Sequence, residues 1–383
     1  MVLIFLSTLL GCCLLAGYGA LIEYYRRAWQ TLPEFDAAGR TGDIRISVLV
    51  PARNEAANIA ACIESLADQT YPKELFEVIV IDDHSTDGTA AIVRDLHPPG
   101  LRLMLSRLAV SAAGPAPFKK LAIESGVRIA TGDLIVTTDA DCRFQPDWLN
   151  TLAVFYREKQ AKFIAAPVRM STAQHSLLAI FQMLDFITLQ GITAASVAKK
   201  FHSMCNGANL AYDRAAFFEV AGFRDIDDIP SGDDMLLMYK IYRKYPDAVY
   251  FLKSPAAIVS TKPEPGWTAF VNQRVRWASK ADRYDDRRIF RVLLLVYILN
   301  AALLLLPVAA CWNRWWLWLF VAGLLVKTLL EYPFVSSVAE FFGQESLMRW
   351  FPVLQPFHLV YTVVIGWMGK FASYSWKDRT VRR

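Results

Sequence analysis

The chain is predicted to join an α/β domain, a mostly parallel sheet with flanking helices, to helices that cross a membrane. Three observations carry this. Between residues 44 and 139, short apolar runs ending in acidic or polar turns alternate with stretches of helical spacing. Apolar residues make up 54% of the 383 positions and charged ones 20%, too apolar for an ordinary soluble domain and too charged for a chain that is all membrane. The excess apolar content is gathered into long blocks towards the two ends.

Taken in order, Val2 to Ile22 is uncharged and long enough to cross a bilayer, which takes about 20 residues. No Lys or Arg precedes it, whereas Tyr24-Tyr25-Arg26-Arg27 follows, the charge order of an uncleaved anchor whose next segment is cytoplasmic. Ile44 to Pro51 reads as a strand leading into Ala52-Arg53-Asn54-Glu55, and Ala56 to Asp68 as a helix with Ile59, Ile63 and Leu66 on one face. Phe76 to Ile81 is a second strand ending at Asp82-Asp83, followed by a helix from Gly88 to Leu96. Leu101 to Leu105 forms a third strand, then come a loop rich in Ala, Gly and Pro and a helix from Lys119 to Ala130. The strand Asp133 to Thr138 closes on Asp139-Ala140-Asp141. Ser176 to Ala194 places Leu177, Ile180, Phe181, Leu184 and Ile187 on one face, as either a membrane-facing wall or a core helix would.

Three further apolar blocks, Val292 to Trp312, Trp315 to Leu330 and Phe351 to Met368, follow. Lys327 and Glu331 are expected to snorkel to the interface, and Val335 to Trp350 to lie on the membrane surface as a helix. Arg274, Arg276, Lys280, Arg283, Arg287, Arg288 and Arg291 crowd the approach to the second span, the pattern that holds residues 23 to 291 in the cytoplasm. Their place beside a span argues for lipid rather than nucleic acid as what they meet. Three crossings after that domain would put Lys370, Lys377, Arg379, Arg382 and Arg383 outside, so one of the last two blocks is expected to be re-entrant or interfacial. The division that results is an anchor over 1–23, a cytoplasmic domain over 40–290, spans and interfacial helices over 291–371 and a basic tail over 372–383. The six cysteines lack C-x-x-C spacing, so neither a disulfide framework nor a zinc site is indicated.

In a parallel sheet the ligand sits outside the carboxyl ends of the strands, where each acidic cluster falls. No G-x-G-x-x-G or G-x-x-x-x-G-K-[ST] is present, so nicotinamide and P-loop sites are not expected. Asp139 and Asp141, two residues apart at the end of a buried strand, are costly to ionise together without a cation, and suit a divalent metal shared with substrate phosphates. A solvated loop is the plainer alternative for an isolated D-x-D. Gly232-Asp233-Asp234 opens a helical stretch, where Ser231 would by itself suggest a capping box. Gln273, Arg276 and Trp277 fall at i, i+3 and i+4 and share a helix face.

Pro51-Ala52-Arg53-Asn54-Glu55, Asp82-Asp83, Asp139-Ala140-Asp141, Gly232-Asp233-Asp234 and Gln273-Arg274-Val275-Arg276-Trp277 occur in that order. Jointly they resemble the membrane-integrated family 2 glycosyltransferases of GT-A fold, the branch of cellulose, hyaluronan and poly-N-acetylglucosamine synthases and ceramide glucosyltransferases. The likeness covers roughly residues 44 to 280. It implies that Asp82 and Asp83 hold the base and ribose of a nucleotide-sugar donor, with Pro51 and Glu55 on the same side. It implies Mg²⁺ or Mn²⁺ on Asp139 and Asp141, Asp141 being the firmer ligand, and Arg276 on the diphosphate. Lys119-Lys120 resembles the family's G-K-x-x-A, with Phe118 where glycine is usual, and Lys120 is taken as the donor-side residue. Asp234 takes the place of the general base, with Asp233 as its partner. Gln273, Trp277 and Asn209, the last within Asn206-Gly207-Ala208-Asn209, fall on the acceptor side. Asp87 is assigned to a helix cap, and Trp376-Lys377-Asp378-Arg379 resembles a W-x-x-R tail or is a basic anchor.

The implied function is metal-dependent, inverting transfer of a sugar from a nucleotide sugar, UDP-linked, to a hydroxyl of a polysaccharide or lipid acceptor. It would take place at the cytoplasmic face of a cell membrane, in contact with membrane lipids and without nucleic acid. Polymer secretion through so few spans would need an oligomer. A single-sugar glycolipid transferase and a non-catalytic, donor-binding scaffold are the alternatives. A transporter is disfavoured because carboxylates within the spans are almost absent.

Overall fold

The structure, a computed structural model, describes residues 2–108, 118–201, 204–226, 232–279, 286–371, 374–376 and 379–381. The chain forms two compact units, one of residues 31–172 and 192–263, the other of residues 1–30, 173–191 and 264–383.

The first unit is built on a seven-stranded sheet. Its strands are β1 (Ile46–Ala52), β2 (Phe76–Asp82), β3 (Arg102–Arg107), β4 (Leu134–Thr137), β5 (Phe163–Ala165), β7 (Leu210–Asp213) and β8 (Val249–Phe251), in the order β3-β2-β1-β4-β7-β5-β8. The β1, β2 and β4 strands are buried along nearly their whole length, which is why they read as continuous apolar runs rather than alternating ones. Helices α2 (Ile59–Ala67), α3 (Thr89–Asp95), α4 (Phe118–Ile129), α5 (Trp148–Lys159), α7 (Arg214–Glu219) and α8 (Asp233–Lys244) connect them. The sheet is mostly parallel, as the alternation predicts, but β7 runs antiparallel to both β4 and β5. That reversal matters, because it brings the residues before β7 to the edge where β4 ends. A second, two-stranded sheet pairs β6 (Val168–Met170) with β9 (Val259–Thr261). The Ala-, Gly- and Pro-rich loop after β3 falls on residues 109–117, outside the described residues.

Gly132 leads into β4 where the chain passes closest to β1. A Cβ there would stand 2.5 Å from the Ser47 nitrogen and 2.7 Å from the Ile46 carbonyl carbon, so only glycine fits. One end of β2 is tied across the sheet by Glu77. Its carboxylate accepts from Ser47 Oγ at 2.7 Å and from the Thr131 N–H at 2.7 Å, and it pairs with Arg102 at 2.9 Å.

The second unit is helical. It holds α1 (Val2–Thr31) as far as Gln30, the first part of α6 (Leu177–Ala198), α9 (Trp267–Ala278), α10 (Arg287–Ala309), α11 (Trp315–Phe341) and α12 (Phe351–Phe371). Among the described residues, five helices are long and apolar enough to cross a membrane, α6 among them, although much of α6 is enclosed by protein. A hairpin of β10 (Tyr374–Trp376) and β11 (Arg379–Val381), with Trp376 opposite Arg379, lies where a basic tail is expected. Lys377 and Asp378 lie outside the described residues, as do Lys280, Arg283, Arg382 and Arg383 of the basic groups.

Two expectations for this unit are corrected. No separate surface helix spans Val335 to Trp350: α11 continues through Pro333 to Phe341 and turns at Gly343 (φ 63°), and Glu345–Trp350 is a 3₁₀ segment. Proline removes one N–H donor, but Phe334, Val335, Val338 and Ala339 beyond it are buried, and their packing keeps the helix going. Nor do Lys327 and Glu331 snorkel. Both are buried and paired at 2.7 Å. Lys327 Nζ also donates to Gln355 Oε1 at 2.8 Å, Gln355 Nε2 donates to Glu331 Oε2 at 2.6 Å, and the Tyr18 hydroxyl donates to Glu331. Four side chains from three helices thus satisfy one another, so neither charge needs to reach water.

Candidate active site

The acidic residues lie along the carboxyl edge of the sheet. β1, β2 and β4 are parallel; β1 and β2 end in register at Ala52 and Asp82, and β4 ends at Thr137 opposite Leu49, three residues earlier. Asp82-Asp83 and Asp139-Ala140-Asp141 therefore leave the sheet on the same side, separated by β1 and hence by roughly 10 Å across two strand spacings.

The turns after β1 and β2 are laced to each other. Ser85 Oγ accepts from the Asn54 N–H at 3.0 Å, Asn54 Oδ1 from the Thr86 N–H at 2.9 Å, and Thr89 Oγ1 from the Glu55 N–H at 2.8 Å. Asp87 accepts from the Thr89 N–H and from the Ala56 N–H, both at 3.0 Å. The N-cap of α3 is Gly88 rather than the expected Asp87, whose carboxylate instead closes the turn onto Thr89 and clamps the neighbouring turn. Asn54 (φ 51°) and His84 (φ 55°) hold left-handed backbone, strain that non-glycine residues tolerate only when surroundings enforce it. Asp82 and Asp83 are both buried. Asp82 Oδ1 accepts from the Ser85 N–H at 3.2 Å, and Asp83 Oδ1 stands 3.2 Å from His84 Nδ1. Pro51 is half-buried at the end of β1, and Glu55 receives Asn58 Nδ2 at 3.0 Å.

Asp139 and Asp141 are half-buried in the turn after β4. Thr261 at the end of β9 donates to Asp141 Oδ2 at 2.8 Å and fixes that carboxylate. Burial pushes the Asp141 carboxyl up, and the charges of Asp139 and Glu55 push it the same way; the Thr261 hydroxyl only partly offsets them. Lys119 Nζ lies 2.8 Å from Asp139 Oδ1 and 3.6 Å from Asp233 Oδ2. Burial works against its charge, but Asp139, Asp233 and Asp234 outweigh it and raise the ammonium above its ordinary range.

The antiparallel β7 completes the cluster. The Ala208 carbonyl before it accepts from Thr138 Oγ1 at 2.8 Å, and the Gly207 N–H donates to Asp234 Oδ2 at 3.2 Å. A Cβ on Gly207 would come within 3.0 Å of Lys119 Nζ. Asp233 and Asp234 open α8, and Asp234 Oδ1 also accepts from the Met235 N–H at 2.8 Å. Ser231 lies outside the described residues.

Two assignments are corrected here. Lys120 is buried and its ammonium donates to the Ile226 carbonyl, so the lysine facing the carboxylates is its neighbour Lys119. Asn209 is fully buried, its Nδ2 donating to the Pro167 and Ala257 carbonyls at 2.8 Å each and its Oδ1 accepting from Trp148 Nε1 at 3.0 Å. Such an amide holds strands together and has no surface for an acceptor. Thr261 and Lys119 are the polar partners that sequence reasoning missed. A threonine ending a three-residue strand carries no local signal, whereas the G-K-x-x-A register, with Phe118 at the glycine and Ala122 at the alanine, points to Lys119 rather than Lys120.

Oxygen donors from Asp139 and Asp141 are the kind that hold Mg²⁺ or Mn²⁺ together with phosphate oxygens. Among the described residues, no group of three or more His, Cys, Asp or Glu side chains could hold a metal ion. The pair fits a cation that a bound diphosphate helps to coordinate, not a closed protein cage. A cleft of about 610 Å³ at the opposite edge of the sheet, lined by Gly132, Asp133, Tyr156 and Asp213, contains none of these residues.

Gln273, Arg276 and Trp277 belong to the helical unit, on α9. Gln273 Nε2 donates to Glu264 Oε1 at 2.8 Å, and Trp277 lies against the guanidinium of Arg274, 4.3 Å from its ring centroid. Arg274 is the most enclosed residue of this segment, 1% exposed, and pairs with Asp185 at 3.1 Å.

Fold and edge chemistry define a nucleotide-sugar transferase domain of GT-A type. The chain belongs to the family 2 glycosyltransferases: the family described as Glycosyl transferase family group 2 matches residues 134–376, more than half of the chain, and Glycosyl transferase family 2 matches residues 47–178. A probable glycosyltransferase of Bacillus subtilis, YdaM, is 27% identical over 243 residues, 61% of this chain and 54% of that protein. A β-monoglucosyldiacylglycerol synthase of Nostoc sp. is 32% identical over 155 residues, 40% of this chain and 30% of that one. The chain thus spans about half the length of the first relative and less of the second. The mannosyltransferase PcManGT of Pyrobaculum calidifontis, solved with GDP-Man and Mn2+, matches with a TM-score of 0.55 at 22% identity over 92% of this chain and 99% of that one, a likeness of fold.

Proposed function

We propose that the protein is a membrane-bound, metal-dependent inverting glycosyltransferase. It moves a sugar from a nucleotide sugar, UDP-linked, to a hydroxyl of a lipid or polysaccharide acceptor at the cytoplasmic face of a cell membrane. The observation that carries this reading is the cluster of Asp139, Asp233 and Asp234 around Lys119 at the carboxyl edge, with Asp141 in the field of Asp139. Asp82 and Asp83, with Pro51 and Glu55 beside them, receive the base and ribose. Asp139 and Asp141 would hold a divalent cation, which when bound would supply the positive charge a departing diphosphate needs. Lys119 adds a second positive charge, and Arg276 of α9 acts on the same diphosphate.

Asp234 accepts the proton of the acceptor hydroxyl as that oxygen attacks the anomeric carbon. Two backbone N–H groups aim its carboxylate, and Asp233 stands beside it. One base suffices for direct displacement, so the configuration inverts. Gln273 and Trp277 meet the acceptor. The glucosyldiacylglycerol synthase relative favours a lipid acceptor as the second reading of the same chemistry, and product sizing separates it from polymer synthesis, which yields a ladder.

The test is UDP release by purified protein given Mn²⁺ and a panel of UDP-sugars. Asp141→Asn and Asp234→Asn are each expected to lower kcat about 10³-fold. Undiminished release in both variants would refute the assignment. Binding of UDP-sugar without turnover across many acceptors would instead mark a donor-binding scaffold.

A further inference from the structure

Gln182 and Asp185 lie three residues apart on α6, on one face of the helix, and each leads to one end of the Gln273–Trp277 segment. Gln182 clasps the backbone of Glu264 in both directions: its Nε2 donates to the Glu264 carbonyl at 3.0 Å, and its Oε1 accepts from the Glu264 N–H at 2.9 Å. The Glu264 carboxylate then receives Gln273 Nε2 at 2.8 Å. Asp185 stands 3.1 Å from Arg274 Nη1 and accepts from the Tyr361 hydroxyl of α12 at 3.5 Å. The Arg274 guanidinium lies over Trp277, and the Trp277 ring leans on Phe186 with centroids 6.0 Å apart.

Arg274 is an expensive residue to place here. Its Nε, Nη1 and Nη2 atoms are all buried without a hydrogen bond, and Asp185 is the carboxylate that compensates the charge. A buried ion pair of this kind is commonly matched or bettered in stability by apolar side chains of the same volume. What it adds is direction, because a planar guanidinium stacked on an indole and tethered to a carboxylate fixes the plane of the ring.

We infer that Gln182 and Asp185 are positioning residues for the acceptor side of the transferase, Asp185 setting Trp277 through Arg274 and Gln182 setting Gln273 through Glu264. The inference rests on the reading of Gln273 and Trp277 as acceptor-side groups. Its consequence is that acceptor recognition is tuned from α6, a helix with no residue in the acidic cluster.

The experiment uses the full-length protein in detergent, labelled with 5-fluorotryptophan. The signal of Trp277, one of 11 tryptophans, is identified by its loss in Trp277→Phe. In Asp185→Asn the Trp277 signal should move while those of distant tryptophans stay. The KM for acceptor should rise about 30-fold, the size of a desolvated cation–π contact, with the KM for donor unchanged. An unmoved Trp277 signal and an unchanged acceptor KM, with only a lowered Tm, would overturn the inference and leave the pair purely structural. Should Asp185→Asn fail to fold, Asp185→Leu/Arg274→Met removes both charges together. That double variant is expected to fold and still show the displaced signal and raised KM, and wild-type values in it would equally overturn the proposal. If the wild-type protein transfers no sugar, the functional reading fails alone, and the fluorine spectrum still decides whether Asp185 positions Trp277.

Discussion

Lys119 and Lys120 are adjacent in the chain and end in opposite environments. The ammonium of Lys119 bridges Asp139 and Asp233, whereas that of Lys120 is spent on a backbone carbonyl. Lys119→Met should therefore lower kcat/KM about 30-fold, roughly the 2 kcal/mol of a charge-assisted contact, in the UDP-release assay. Lys120→Met should lower Tm and leave kcat/KM of the folded fraction near the wild-type value. Asp141 makes a complementary prediction. Its carboxyl is raised in the fold by burial and by Asp139 and Glu55, so its favourable contribution is complete at acid pH and is lost as pH rises through its folded pKa. In metal-chelated protein, Asp141→Asn should raise Tm at neutral pH, and the gain should vanish below about pH 4, where an ordinary Asp is also protonated. Equal Tm values across that range would show that the carboxylates are not in each other's field.

At the scale of elements, the site exists because three parallel strands run to the same edge of the sheet and a fourth, reversed strand starts beside them. The opposite edge fixes that register. Glu77 joins β1, β3 and the turn before β4, and although burial opposes its charge, bonds from Ser47 and Thr131 and the Arg102 charge hold its pKa below the usual carboxylate range. A lowered carboxylate stabilises above its unfolded pKa and loses that contribution as pH falls through the folded value. Glu77→Gln should accordingly cost about 2 kcal/mol in denaturant unfolding at neutral pH, with the difference shrinking on acidification. Gly132→Ala should cost at least as much at every pH, since its methyl would meet β1 backbone that has no room to yield.

For the whole molecule, the helical unit poses a different problem, that of four polar side chains inside helices long and apolar enough to cross a membrane. Tyr18, Lys327, Glu331 and Gln355 tie α1, α11 and α12 to one another. Lys327→Met leaves Glu331 uncompensated and should cost about 3–5 kcal/mol, seen as a lower unfolding temperature in detergent. Lys327→Met/Glu331→Gln should recover most of the loss. If the single variant unfolds like the wild type, the pair does not hold the helices.

Much of this protein was legible before any coordinates. The order of strands and helices to residue 139, the acidic turns closing the strands and the apolar blocks follow from short-range patterning, because a buried parallel strand or a spanning helix must be apolar wherever it lies. The five ordered motifs identified the family for a related reason, since charged residues at strand ends are too costly to place there without use. Only the tertiary structure decided what depends on partners distant in sequence: that Lys119 bridges Asp139 and Asp233, that Thr261 aims Asp141, that Asn209 is enclosed, and that Lys327 and Glu331 turn inward to Gln355. In each case the residue type allows several environments, and burial against a partner tens to hundreds of positions away selects one.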